Sequence, residues 1–138
     1  MKDLLTKTVD YGKSLGADYV EVRAQNLFKT LLTTKDGTVE GAKQGTETGA
    51  GVRVLTNGAW GFVSLGKLDA KLLSEAVSEA VRLSKAASVH VKSPVELAEV
   101  KAVEDRVLAN SRKNPEDVSL EQKIGDVLAM DKAALGFD

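Results

Sequence analysis

A chain of 138 residues, 43% of them hydrophobic, is long enough for one core that removes about 70% of its unfolded surface from water. Nineteen basic against twenty acidic residues leave a net charge of −1, and the two signs are interspersed, which argues against a nucleic-acid-binding face. The absence of cysteine excludes disulfides and thiolate metal sites. MKDLLTKTVD lacks a secretory apolar region and no apolar run approaches the ~20 residues of a membrane span, so the chain reads as cytoplasmic.

In chain order, Lys2 to Leu15 places Leu4, Leu5, Val9 and Leu15 on one helical face, and Gly16 stands where a helix ends. Asp18 to Gln25 alternates Val20, Val22 and Ala24 with Glu21, Arg23 and Gln25, the pattern of a strand with one wet face. A reversal near Asn26 and Leu27 is expected to separate it from Phe28 to Lys35, and Asp36-Gly37 turns that run into Thr38 to Gln44. Gly41, Gly45, Gly49 and Gly51 predict bulges or kinks in the third and fourth strands. The clearest local code is TETGAGVRVLTNGAWGFVSLG, residues 46–66, where Asn57-Gly58 supplies both positive-φ residues of a type I′ turn. A two-residue loop puts Leu55 opposite Trp60 and Arg53 opposite Phe62 on one face, with Val54 opposite Gly61 and Val52 opposite Val63 on the other. Arg53 is then diagonal to Trp60 and within reach of its ring, and bare Gly61 leaves room for close approach of another element.

Asp69 is a good N-cap, and Leu68 can staple onto Leu73. The helix they open carries the stripe Leu72, Leu73, Ala76, Val77, Ala80, Val81 and Leu83. Beyond it, Val89-His90-Val91 is strand-like, and Val95 to Asn110 fits neither period and reads as extended chain. Asn114-Pro115 marks a turn, and Ser119 with Gln122 forms a capping box for a last helix bearing Leu120, Ile124, Val127, Leu128 and Leu135. Residues 135–138 read as an exit into further chain. The expected fold is α+β: a two-layer sandwich of a mainly antiparallel sheet of about five strands, with two helices on one face and a C-terminal extension ending in a helix. Residues 1–92 form the amino-terminal domain, and residues 93–138 a linker strand and helix.

No candidate for chemistry survives comparison with a plainer reading. A catalytic zinc needs three protein ligands and an open position, yet His90 is the sole histidine. A Ser-His nucleophile would need the same His90, and no serine sits in a G-x-S-x-G elbow. Glu40, Glu47, Glu104 and Asp105 read as solvated surface charge. Gly45, Gly49 and Gly51 precede a strand rather than a helix, so they are not a phosphate cradle, and a small-molecule-binding reading has only these glycine-rich strands behind it. Arg53, Trp60 and Phe62 are the candidate interface or recognition patch; a core edge or domain interface is favoured over an exposed recognition surface, because two aromatics on one face are seldom left fully wet.

The run GAGVRVLTNGAWGFVSLGKL, preceded by GADYVEVRAQ and by a DG turn with TVEGAKQG, resembles the amino-terminal domain of the TldD/PmbA family, and NPEDVSL with the following helix resembles that family's link into its central region. The family comprises zinc-dependent peptidases and their non-catalytic partners, historically called modulators of DNA gyrase. Catalytic members carry a His-Glu-x-x-x-His helix in a later part of a longer chain, and these 138 residues have no such motif. The resemblance therefore implies a non-catalytic front portion, inactive alone, with no catalytic or metal residue and no cofactor of its own, leading into a missing central domain. It implies a packing, association or substrate-access role, protein partners of the same family in a homo- or hetero-oligomer, and zinc and peptide substrate only in a catalytic full-length relative. A standalone regulatory module related to the non-catalytic partner is the alternative.

Overall fold

Two turn dipeptides shape the sheet. Asp36 and Gly37 adopt φ of 50° and 75°, and Asn57 and Gly58 adopt 51° and 74°, the left-handed pairs that a type I′ hairpin requires. They join β1 (Tyr19–Lys35) to β2 (Thr38–Thr56) and β2 to β3 (Ala59–Leu65), in an antiparallel sheet of order β1-β2-β3. The β2–β3 register is the one the Asn57-Gly58 turn dictates: Thr56 faces Ala59, Leu55 faces Trp60, Val54 faces Gly61, Arg53 faces Phe62 and Val52 faces Val63. The computed structural model describes residues 1–136, so Phe137 and Asp138, the end of the expected exit, lie outside the described residues.

The sheet has three strands where about five were expected. The chain does not reverse at Asn26 and Leu27, and β2 runs unbroken through Gly41, Gly45, Gly49 and Gly51. The reason is local: Thr48 Oγ1 donates to Asn26 Oδ1 across the two strands, so polar side chains that suggested a turn serve as a cross-strand pair. Gly41 and Gly45 have open space around them and lie within the continuous strand.

Compact packing divides the chain into two units, the first made of Met1–Asn26 and Glu47–Val100. Here α1 (Lys2–Ser14) and α2 (Ala70–Ser88) lie on one sheet face. Val20, Ala50, Val52 and Val54 pack against Leu73, Ala76, Val77, Ala80 and Val81, while Leu4, Leu5, Val9, Leu15 and Leu68 close the margin. As the sequence implies, Asp69 caps α2, its carboxylate accepting from the N–H groups of Lys71 at 2.9 Å and Leu72 at 3.1 Å. At Gly61 a Cβ would collide with the Ala80 carbonyl oxygen and stand 2.9 Å from Ser84 N, so α2 rests directly on the β3 backbone. Val89-His90-Val91 is not a strand. Those residues continue the helix end as a turn, His90 N–H donating to Ala87 O and Val91 N–H to Ser88 O, because no neighbouring strand is there to pair with them. The expected linker strand is likewise absent: residues 92–110 are irregular, and Pro94-Val95 folds over the Asn57-Gly58 turn, with Val95 N–H donating to Gly58 O at 2.9 Å.

One buried polar contact links α2 to the sheet. The Ser84 hydroxyl, fully buried, lies 2.8 Å from Thr56 Oγ1 and 2.9 Å from the Val81 carbonyl oxygen. Ser84→Ala strands the Thr56 hydroxyl and is expected to cost about 1–2 kcal/mol, whereas Ser84→Ala combined with Thr56→Val costs less than the sum of the two. A double-mutant cycle in urea reads this directly.

The second unit comprises Leu27–Thr46 and the chain from Lys101 onward. It contains the outer half of the β1–β2 hairpin, a 3-10 turn at Pro115–Asp117 and α3 (Leu120–Leu135), whose N-cap Ser119 Oγ accepts from Gln122 N at 3.2 Å. Asp131 accepts the Gly37 N–H at 2.6 Å, and Lys123 reaches Thr30 Oγ1 at 3.5 Å with its ammonium 5.8 Å from the Phe28 ring centroid. No residue of α3 is buried, so this unit is held by polar contacts and partial burial rather than by a core.

Candidate functional site

Because side chains alternate along a strand, the residues that do not face α1 and α2 gather on the opposite sheet face. There β1 supplies Tyr19 and Glu21, β2 supplies Arg53, and β3 supplies Trp60 and Phe62. The Arg53 guanidinium carbon stands 4.5 Å from the Trp60 ring centroid, the diagonal stacking that the hairpin register implies. Its Nη2 also donates to Glu21 Oε2 at 2.5 Å, and Tyr19 Oη donates to the same carboxylate oxygen at 3.4 Å. The Tyr19 ring meets Trp60 edge-on, with centroids 6.1 Å apart and planes at 88°.

Arg53, Trp60 and Phe62 are thus brought together as neighbours on one face. Leu55 is buried beneath Trp60, Trp60 is half-buried, and Phe62 is 61% exposed. An Arg53–Glu21 pair this open contributes at most about 1 kcal/mol, and its charges cancel locally. Around Trp60 the face therefore presents aromatic surface whose nearest charges, Arg53 and Glu21, offset one another. Tyr19 and Glu21 were missed from sequence because nothing fixes the β1–β2 pairing there. Their position on the wet face of β1, in phase with Arg23, was the available signal.

His90 is exposed just beyond α2, and Glu40, Glu47, Glu104 and Asp105 are all exposed. Among the described residues no three His, Cys, Asp or Glu side chains gather as metal ligands, so the residues present do not fit a catalytic zinc. Gly45, Gly49 and Gly51 all lie inside β2. The resolved electrostatic shifts belong to a pair on the wet side of α2: Arg82 donates two hydrogen bonds to Glu79 and holds its carboxyl below the ordinary range, and Glu79 raises Arg82 in turn. No helix among the described residues is long and apolar enough to cross a membrane.

A model of PmbA/TldA metallopeptidase domain 1 matches residues 20–88, half of the chain, and those residues include the β2–β3 hairpin and α2. The chain belongs to the TldD/PmbA family. Its matched portion begins at Val20 in β1 and ends with α2, so it holds Glu21, Arg53, Trp60 and Phe62 and the buried core cluster, while Tyr19 and α1 precede it. A "Metalloprotease" of Methanothermobacter thermautotrophicus is 26% identical over 106 residues, covering 77% of this chain and 22% of that protein. The crystal structure of TldE from Thermococcus kodakarensis superposes with a TM-score of 0.59 at 16% identity, covering 94% of this chain and 29% of that one, which is a likeness of fold. The chain spans about a fifth of the length of that metalloprotease and under a third of the TldE chain.

Proposed function

We propose that this chain is the non-catalytic amino-terminal portion of a TldD/PmbA-like metallopeptidase, with a role in packing, association or substrate access while another part of the full-length protein hydrolyses peptides. Supporting this reading is the single observation that the residues matched by the family's first domain form an α+β scaffold with no set of metal donors among them. In the full-length protein a zinc ion would lower the pKa of a bound water for attack on a peptide bond, and no residue of this chain is assigned a part in that step. The partners are other chains of the same family and, for the whole protein, peptides. The even mixture of charges along the chain argues against DNA as a partner, and the cysteine-free sequence suits the reducing cytoplasm.

Incubation of the chain with unstructured peptides, with and without added Zn²⁺, tests this reading. The expected result is no cleavage above buffer in either condition. Zinc-dependent turnover by these 138 residues would show that a catalytic centre lies within them.

A further inference from the structure

Asn57-Gly58 turns the hairpin, and the same two residues carry a reactive pair: the Asn57 side-chain carbonyl carbon and the Gly58 main-chain nitrogen, with no side chain at Gly58 to obstruct their approach. Attack of that nitrogen on Cγ closes a five-membered imide. The Cγ–Nδ2 bond breaks, and Nδ2 leaves as ammonia with the proton that the Gly58 nitrogen gives up. Water then opens the imide at either carbonyl, leaving aspartate or isoaspartate. Asn57 is exposed, and the ladder bonds close on Thr56 and Ala59, so the Gly58 N–H stands outside them.

Closing the ring requires the Asn57–Gly58 peptide to swing out of the left-handed pair of conformations that the type I′ turn imposes. Both ends of that peptide are held. On one side Asp18 Oδ2 accepts the Asn57 N–H at 2.7 Å, while the Asp18 N–H donates to Leu55 O at 2.9 Å, which moors the loop to the residue before β1. On the other side the Val95 N–H donates to Gly58 O at 2.9 Å, and Pro94 lies so close that a Cβ added at Gly58 would stand 2.7 Å from Pro94 Cα. Pro94 and Val95 belong to no helix or strand, and their contact with the turn is what gives this stretch of irregular chain a fixed place.

We propose that Asn57 is a site of spontaneous deamidation and that Pro94-Val95 is the strap that holds it unreacted in the folded chain. Isoaspartate at this position adds a methylene to the main chain, so the two-residue loop no longer fits and the register that sets Arg53 diagonal to Trp60 is lost. Conversion to aspartate instead puts a second carboxylate on the residue whose N–H Asp18 already holds. The strap thereby guards the hairpin against an irreversible change that starts at its own turn.

The test is mass-spectrometric peptide mapping of the intact chain during incubation in mildly alkaline buffer, with isoaspartate scored by enzymatic methylation of its carboxylate. Asn110-Ser111, exposed in irregular chain, is the internal reference, since folding does not hold it and the serine side chain slows the same attack. In urea Asn57 is expected to convert faster than Asn110. In native buffer at the same pH its rate relative to Asn110 is expected to fall ~tenfold or more. Pro94→Gly, which removes the ring lying against Gly58, and Val95→Pro, which removes the donor to Gly58 O, are each expected to raise the native rate ~threefold or more. Both positions are exposed and outside every helix and strand, so the melting midpoint is expected to change little. Asn57→Gly keeps the turn and abolishes the signal at this position. No conversion at Asn57 in urea, equal relative rates in urea and native buffer, native rates that neither strap substitution raises, or a rise that comes only with a lowered melting midpoint would each overturn the proposal.

Discussion

Gly61→Val is expected to destabilise the protein by about 3 kcal/mol or more. Overpacking a core normally costs less because side chains yield. Here the obstruction is main chain: an added Cβ meets the Ala80 carbonyl oxygen and approaches Ser84 N, both held in the hydrogen-bonded body of α2. Relief requires the whole helix to lift from β3, which opens the contacts among Val54, Val77 and Ala80 and strains the Ser84–Thr56 bond. Thermal unfolding is the check, and for a chain of this length such a loss lowers the midpoint by roughly 10 °C. Gly66→Ala, at a position where an added Cβ meets nothing within 4 Å and φ is not positive, is the matched control and is expected to change stability by less than ~0.5 kcal/mol.

Leu73→Ala is expected to cost about 3–4 kcal/mol. Leu73 is fully buried in the first turn of α2 and is the bulkiest of the fully buried side chains, so truncation removes its transfer energy and leaves a cavity bordered by strand and helix. The neighbouring strands cannot collapse into that space, since their spacing is fixed by the ladder. Val89→Ala, just past the end of the same helix and 76% exposed, is expected to fall within about 0.5 kcal/mol of the parent in the same urea titration.

The features legible in the sequence were those decided by a few adjacent residues. Asn57-Gly58 sets its own turn type, and the turn sets the register, so the Arg53–Trp60 diagonal and the bare contact at Gly61 both follow from two residues. Asp69 and Ser119 mark the starts of α2 and α3 for the same reason, each binding N–H groups two or three positions on. Strand continuity was harder to read. Whether Asn26 begins a turn or pairs across to Thr48 depends on what stands opposite, and that is settled by the strand fixed through Asp36-Gly37 rather than by Asn26 itself. The same dependence hid Tyr19 and Glu21, which join the Trp60 cluster only once β1 lies beside β2. Val89-His90-Val91 alternates like a strand, but alternation without a neighbour to bond forms none.

The β-sheet therefore has two faces with different fates. One is sealed by α1 and α2 and sets stability; the other presents Trp60 and Phe62 beside an edge that carries no charge. Nothing among the described residues gathers donors for a metal, and the account rests on this domain being scaffold rather than reaction centre. Its most direct test is the zinc content of the chain after saturation with Zn²⁺ and exhaustive dialysis. The account predicts fewer than ~0.1 zinc ions per chain, whereas about one zinc ion retained per chain would contradict it.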